Sequence, residues 1–300
     1  MHRRPSAASQ YCRPHPLRRA IGPSLLGHGP GVRSGRDDRE GGAVEPNLIR
    51  PGEVAGWPKL VVTYPTDPER IAALLPPGLE RCGNAEVQIS VYCVPVHGEP
   101  EYGVSIKIPA AYRSIPGWYT LGIGIDQESA IFISRDTNGQ PKYPCSVRLF
   151  RLGDSVHASA THQGVTFLRV EGRSAGPPTA PANSEFADNE WWIKVSRAVG
   201  GAEGEYDLEP RVVRVAMEGT TVAEEPIEAD VALVSSAWDP VADLLPPLGP
   251  HRVRFVANRI ASRTIAVAGP LDPVAFWPWT DTIGGSRWPG TRGGPIRAAR

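Results

Sequence analysis

Lysine is the residue this sequence uses least among its charged side chains. Of 32 Lys and Arg residues, only Lys59, Lys107, Lys142 and Lys194 are lysine. Arginine cannot replace a lysine that must lose its proton and attack a carbonyl, so each retained amine is a candidate for chemistry. Long apolar runs are missing as well. None approaches the roughly 20 residues that a membrane-spanning helix needs. There is no charge of one sign in excess, since 32 acidic residues balance the 32 basic ones, and this gives no sign of a nucleic-acid or membrane-surface partner. The four cysteines, Cys12, Cys82, Cys93 and Cys145, show no C-x-x-C or other metal spacing. They read as reduced thiols of a cytoplasmic protein.

What the chain has in quantity is turn formers: 32 prolines and 32 glycines, which favour short strands over long helices. Residues 1–45 carry Arg, Pro, Ser and Gly with no acid before Asp37, and no apolar periodicity. They are expected to be a disordered tail, with an organelle transit peptide or an upstream start of translation as alternatives. The folded domain is expected over 52–280, followed by a loosely ordered Gly/Trp/Arg-rich tail over 281–300.

Strand signals fall at 59–64, 87–94, 104–108, 118–125, 155–168, 190–195, 206–217, 222–234 and 252–268. Two short helices are marked by an Asp that can cap followed by Pro in the first turn, Asp67-Pro68 and Asp239-Pro240, and each is stopped by a Pro-Pro pair. The pattern predicts a mainly antiparallel β domain, a barrel or a sandwich, with a few short helices.

One stretch stands apart. Ala130–Ile133 reads as a short strand, Asn138-Gly139 as a turn, and Ser146–Leu149 as a returning strand. Pro141 and Pro144 bracket Lys142, holding the lysine in a rigid bend. An ordinary turn lysine would be solvated and inert. The order of residues here, Ile125-Asp126, Ala130-Ile131, Ser134-Arg135-Asp136 and Gly139-Gln140-Pro141-Lys142, resembles the acetoacetate decarboxylase superfamily. Residues 60–80, 190–196 and 237–247 follow in that superfamily's order, so the resemblance spans about Trp57–Ala266. It implies a closed β-barrel or cone in which the lysine after the proline forms a Schiff base with a keto substrate. By the same resemblance Arg135 is a candidate for binding a substrate carboxylate, with pairing to Asp126, Glu128 or Asp136 as the alternative. Gln140 and Tyr143, flanking the lysine, are candidates to position a carbonyl or relay a proton.

The departures from the decarboxylase pattern point to a particular branch. A second lysine after the nucleophile is Tyr143 here, and Ser90 and Trp57 stand where a glutamate and an arginine align. A second glutamate aligns with Gly103 or Val104, although Glu99 and Glu101 lie close by. Some members of the superfamily keep the lysine, lose these partners and act as aldolase-dehydratases or hydratases on keto acids such as pyruvate. The resemblance therefore implies a carbon–carbon lyase on a small keto acid, with an aldehyde as co-substrate, no cofactor and a homo-oligomeric assembly. A ligand-binding barrel with a degenerate site and a purely structural oligomer are the alternatives. His157 and His162 lack metal-ligand spacing and read as ordinary strand histidines, so no metal site is expected.

Overall fold

From Pro58 onward, apolar and polar side chains alternate along most of the chain, and a computed structural model describes the resulting strands over residues 58–96, 99–181 and 184–296. In chain order they are β1 Pro58–Pro65, β2 Leu79–Glu80, β3 Glu86–Val96, β4 Glu99–Tyr112, β5 Ile115–Ile125 and β6 Lys142–Pro144. Then come β7 Ser146–Leu152, β8 Ser155–His162, β9 Val165–Ser174, β10 Glu185–Arg197, β11 Tyr206–Leu233 and β12 Arg252–Pro270. The helices are short: α1 Pro68–Ala73, α2 Glu128–Asn138, α3 Val241–Leu244 and α4 Pro273–Phe276. Among the described residues the strands form one sheet in the order β10-β5-β4-β3-β1-β12-β11-β9-β8-β7, with β2 added on β4 and β6 on β5. The long β11 pairs with β12, β9 and also β10. The chain is mainly β, as the sequence predicts. The expected tail over 1–45 lies outside the described residues, as does Trp57.

Two chemically different faces result. One carries the main hydrophobic core, including Leu60, Val62, Tyr64, Ile89, Val91, Val104, Ile106, Tyr119, Trp191 and Phe255. Cross-strand partners share a face. On the other side of β3, β4 and β5, Ser90 therefore stands with Ser105, Gln88 with Lys107, and Lys107 with Thr120. Although polar, Ser90, Ser105 and Thr120 are each buried, so this second face is enclosed rather than wetted. An extra residue on β5 between its pairings with Ile106 and Lys107 switches the alternation. It puts Tyr119 and Leu121 into the core, while Ile123 and Ile125 join the opposite face.

Three sequence expectations are corrected. The run Ala130–Ile133 is the middle of a helix, α2, and not a strand. Its residues divide as a helix divides them: Ala130 and Ile131 pack on Ile123 and Ile125, while Phe132 and Ile133 are exposed. Glu128 favours the first turn, and Gly139 at φ 70° closes the helix, its N–H donating to the Arg135 carbonyl at 3.0 Å. The second correction concerns Asp239, which does not cap α3. Its carboxylate instead meets His162 Nδ1 at 2.8 Å, both groups being buried. Asp67 does cap α1, accepting from the Glu69 N–H at 2.8 Å.

The third correction is the segment after Asp281, expected to be loose. Over 281–296 it buries Ile283, Ser286 and Trp288 and ties itself with hydrogen bonds from Ile283 N to Trp288 O and from Gly284 N to Gly293 O. Gly285 and Gly290 serve close backbone packing, while Gly284 and Gly293 take positive φ in turns, a distinction that composition does not carry.

Cys145 lies on the core side, and burial, aided by Asp239, pushes its thiol pKa far up. Cys82 is half-buried and unpaired. Iodoacetamide at pH 8 is expected to alkylate Cys82 in the folded protein and to leave Cys145 unmodified until denaturant is added, as peptide masses will show.

Candidate active site

Lys142 opens β6, which lies parallel to β5 with Lys142 opposite Ile123. The bend before it is fixed by two hydrogen bonds, Lys142 N–H to the Gln140 carbonyl and Ile123 N–H to the Pro141 carbonyl, each 2.8 Å long. Because Lys142 shares a face with Ile123, its side chain enters the enclosed polar face. There Nζ donates to Glu101 Oε2 at 3.0 Å. Both residues are buried, at 6% and 3% exposure, so the amine and carboxylate form a desolvated pair. Glu101 comes from β4, opposite Val94 of β3. In the sequence the second glutamate aligns with Gly103 or Val104, with Glu99 and Glu101 close by. Of the two glutamates, Glu101 is buried against Lys142, whereas Glu99 is exposed at the strand start.

Tyr92 adjoins the pair. It stands opposite Gly103, and its ring occupies the space of a side chain there: a Cβ on Gly103 would lie 2.3 Å from the ring. Burial raises the Tyr92 hydroxyl pKa well above its ordinary value, and the neighbouring Glu101 carboxylate adds to that. Tyr92 is thus a neutral hydrogen-bonding group beside Glu101.

A second pair, with a buried carboxylate and a half-buried amine, lies farther along the same face. Lys107 Nζ donates to Glu190 Oε2 at 2.6 Å, while Thr120 Oγ1 at 2.5 Å and Trp192 Nε1 at 2.7 Å donate to Oε1. Burial acts to raise the Glu190 carboxyl pKa, but these donors outweigh it and hold it below the usual carboxylate value. Nearby, burial first and Lys107 second pull the Lys59 ammonium down to about 8. Three of the four lysines thus share one enclosed face.

The other sequence-derived candidates are placed as follows. Tyr143, next to the lysine, points to the opposite side of β6. Its ring packs on Gly122 and lies 4.7 Å from the His162 ring, centroid to centroid. It belongs to the hydrophobic core and is turned away from the lysine amine. Gln140 holds the bend through its backbone carbonyl. Arg135, in the last turn of α2, has an exposed side chain and no ion pair to a described acidic residue. Ser90 is buried opposite Ser105. No group of three or more His, Cys, Asp or Glu side chains among the described residues is arranged to hold a metal. No helix among them is long and apolar enough to cross a membrane.

Lys142 is braced from behind by the segment after Asp281. Arg287 N–H donates to the Leu121 carbonyl at 2.6 Å, on the β5 edge between its pairings with β10 and β6. Gly285 rests against the lysine backbone: a Cβ there would lie 1.8 Å from the Lys142 carbonyl oxygen. Gly285→Ala must therefore displace either β6 or the brace. It is expected to cost about 1–3 kcal/mol, the range of overpacking, and to lower the melting temperature by several degrees. Thermal unfolding followed by circular dichroism checks this, and an unchanged melting point would show that the segment is not seated there.

Comparison with known proteins gives the family and the fold. The family model described as acetoacetate decarboxylase matches residues 41–264, so the chain belongs to the acetoacetate decarboxylase family. An acetoacetate decarboxylase structure superposes with TM-score 0.61 at 16% identity, covering 73% of this chain and 92% of its own. The acetoacetate decarboxylase of Legionella pneumophila gives 0.56 at 16%, covering 69% and 85%. The enduracididine biosynthesis enzyme MppR, complexed with the condensation product of pyruvate and imidazole 4-carboxaldehyde, gives 0.52 at 15%, covering 70% and 87%. No curated protein matches the chain.

Proposed function

We propose that this protein is a Schiff-base enzyme acting on a small keto acid, with Lys142 as nucleophile and Glu101 as its proton partner. The observation that carries the reading is the buried 3.0 Å contact between Lys142 Nζ and Glu101 Oε2. An unperturbed lysine is neutral in roughly one molecule in 2,500 at pH 7. A carboxylate in hydrogen-bond contact can take the ammonium proton as the keto substrate arrives. The freed amine adds to the keto carbon, and the carbinolamine loses its oxygen as water when Glu101 returns the proton. The protonated imine then withdraws electrons from the α-carbon. Loss of an α-proton to Glu101 gives an enamine that can attack an aldehyde, and loss of carbon dioxide gives the same type of enamine.

Condensation with an aldehyde, followed by dehydration, is the favoured outcome. Its support is that Tyr143 is turned into the core, leaving a single amine at this position, and that MppR, whose structure holds the condensation product of pyruvate and imidazole 4-carboxaldehyde, shares the fold. We also propose that the strands enclose the site as a barrel, which the second pairing of β10, with β11, supports. The test is incubation with pyruvate and borohydride, then peptide mapping. A reduced adduct on Lys142 is expected. An adduct confined to Lys59, Lys107 or Lys194, or none at all, would refute the reading. Robust carbon dioxide release from acetoacetate, without condensation of pyruvate on a panel of aldehydes, would move the reaction to decarboxylation.

A further inference from the structure

We infer that the Tyr92 hydroxyl is a second catalytic group, which relays a proton from Glu101 to the oxygen of the aldehyde as the new carbon–carbon bond forms. This deepens the function proposed above and rests on Lys142 being the imine-forming residue. Tyr92, Val94, Glu101 and Gly103 share one face of the β3–β4 pair, since Tyr92 stands opposite Gly103 and Val94 opposite Glu101. On β5 the same face continues through Ile125, opposite Gly103, and Ile123, opposite Ser105. The Tyr92 ring packs on the cluster that these two isoleucines form with Ala130 and Ile131. Ile123 is in turn the partner of Lys142. The ring thus reaches across β4 towards the strand that carries the amine.

The end of the ring is closely placed. Gly103 has no side chain, and the phenol fills the space: a Cβ there would lie 2.3 Å from Tyr92 Cζ and 2.4 Å from its hydroxyl oxygen. Glu101 is two residues away on the same face, a rise of about 7 Å, and its carboxylate holds Lys142 Nζ at 3.0 Å. Burial, and after it the Glu101 carboxylate, raise the hydroxyl pKa well above its ordinary value, so Tyr92 enters the reaction as a neutral donor.

A carboxylate in contact with the imine nitrogen is placed for the amine and for the α-proton. The aldehyde oxygen lies several bonds farther on, and a hydroxyl beside the carboxylate bridges the gap. In the bond-forming step the nucleophilic carbon of the enamine attacks the aldehyde carbon, and the nitrogen lone pair restores the protonated imine. The carbonyl π electrons move to the aldehyde oxygen, which takes the phenol proton. Tyr92 recovers a proton from Glu101, which holds the one removed from the α-carbon. The α-proton of the keto acid therefore ends on the new hydroxyl, and no free phenolate accumulates.

The test reads three steps in the same protein. Borohydride trapping reports the imine on Lys142. Loss of the pyruvate methyl signal in deuterium oxide, followed by NMR, reports the enamine. Product from pyruvate and a panel of aldehydes reports condensation. The variants are Tyr92→Phe, which removes only the oxygen, and Gly103→Ala, which keeps the phenol and displaces its end. The second is cheap for the fold, because the atoms that must move are the far end of a side chain. Each variant should trap and exchange pyruvate within about twofold of the unaltered protein, but condense it about 10²-fold more slowly or worse, the loss expected for an acid–base group. The ratio of condensation to exchange is unmoved by a loss of folded protein, which lowers both. If the two fall together, or condensation is unchanged, the relay is refuted. Trapping and exchange without condensation in the unaltered protein would overturn it as well. An unaltered protein that traps no pyruvate refutes the Schiff-base reading itself, and the relay with it.

Discussion

Lys142→Arg is expected to abolish the trapped pyruvate adduct completely while leaving the protein folded. Arginine keeps the positive charge, and its planar fork can pair with Glu101, so the buried ion pair of 3.0 Å in the native site is replaced rather than broken. What arginine cannot do is deprotonate near neutral pH and add to a keto carbon. Peptide mapping after borohydride should find no adduct at position 142, and the melting temperature should fall by no more than a few degrees. An arginine variant that still turned over keto acids would place the chemistry elsewhere, with Lys59 the first residue to examine because its amine is pulled down to about 8.

Glu101→Gln should separate binding from turnover. The amide keeps the size and one acceptor of the carboxylate but cannot take the lysine proton. A positioned acid–base group is worth about 10²–10⁴-fold in rate, and a loss of that order in condensation rate is expected. Removing one partner of a buried pair also leaves the other uncompensated, at a cost of about 3–5 kcal/mol. The variant should therefore be less stable as well as slow. Its signature is that the amine survives: raising the pH should restore borohydride trapping without restoring turnover. Wild-type turnover with Gln at 101 would show that the carboxylate is only a counter-ion.

The lysine was legible in the sequence because chemistry and context agreed: a scarce residue type, held between two prolines, after an Arg-Asp pair. Its carboxylate was not. Glu101 lies in a run, Glu99-Pro100-Glu101, where a slip of one residue turns both carboxylates to the other face and a slip of two puts Glu99 in the place of Glu101. Only the pairing with Val94 fixes the register. The same period of two hid the role of Tyr143, whose adjacency to Lys142 places it on the other face. For α2 the difficulty was length. Four apolar residues satisfy a short strand as well as one turn of a helix, and the deciding signals, Glu128 and Gly139, sit outside the run. In the segment after Asp281, composition does not separate glycines that permit backbone contact from glycines that permit motion.

The brace on β5 also sets an order of events during synthesis. The edge of β5 around Leu121 is satisfied by Arg287, more than 160 residues later in the chain. Until that segment leaves the ribosome, β5 presents unpaired backbone between the stretches claimed by β10 and β6. A bare edge of this kind invites pairing with other chains. The nascent protein thus passes through a period in which its sheet is nearly assembled but its proposed nucleophile is unsupported and its edge adhesive. Ribosome-bound chains stopped before Asp281 are where holdase chaperones should be found most strongly engaged.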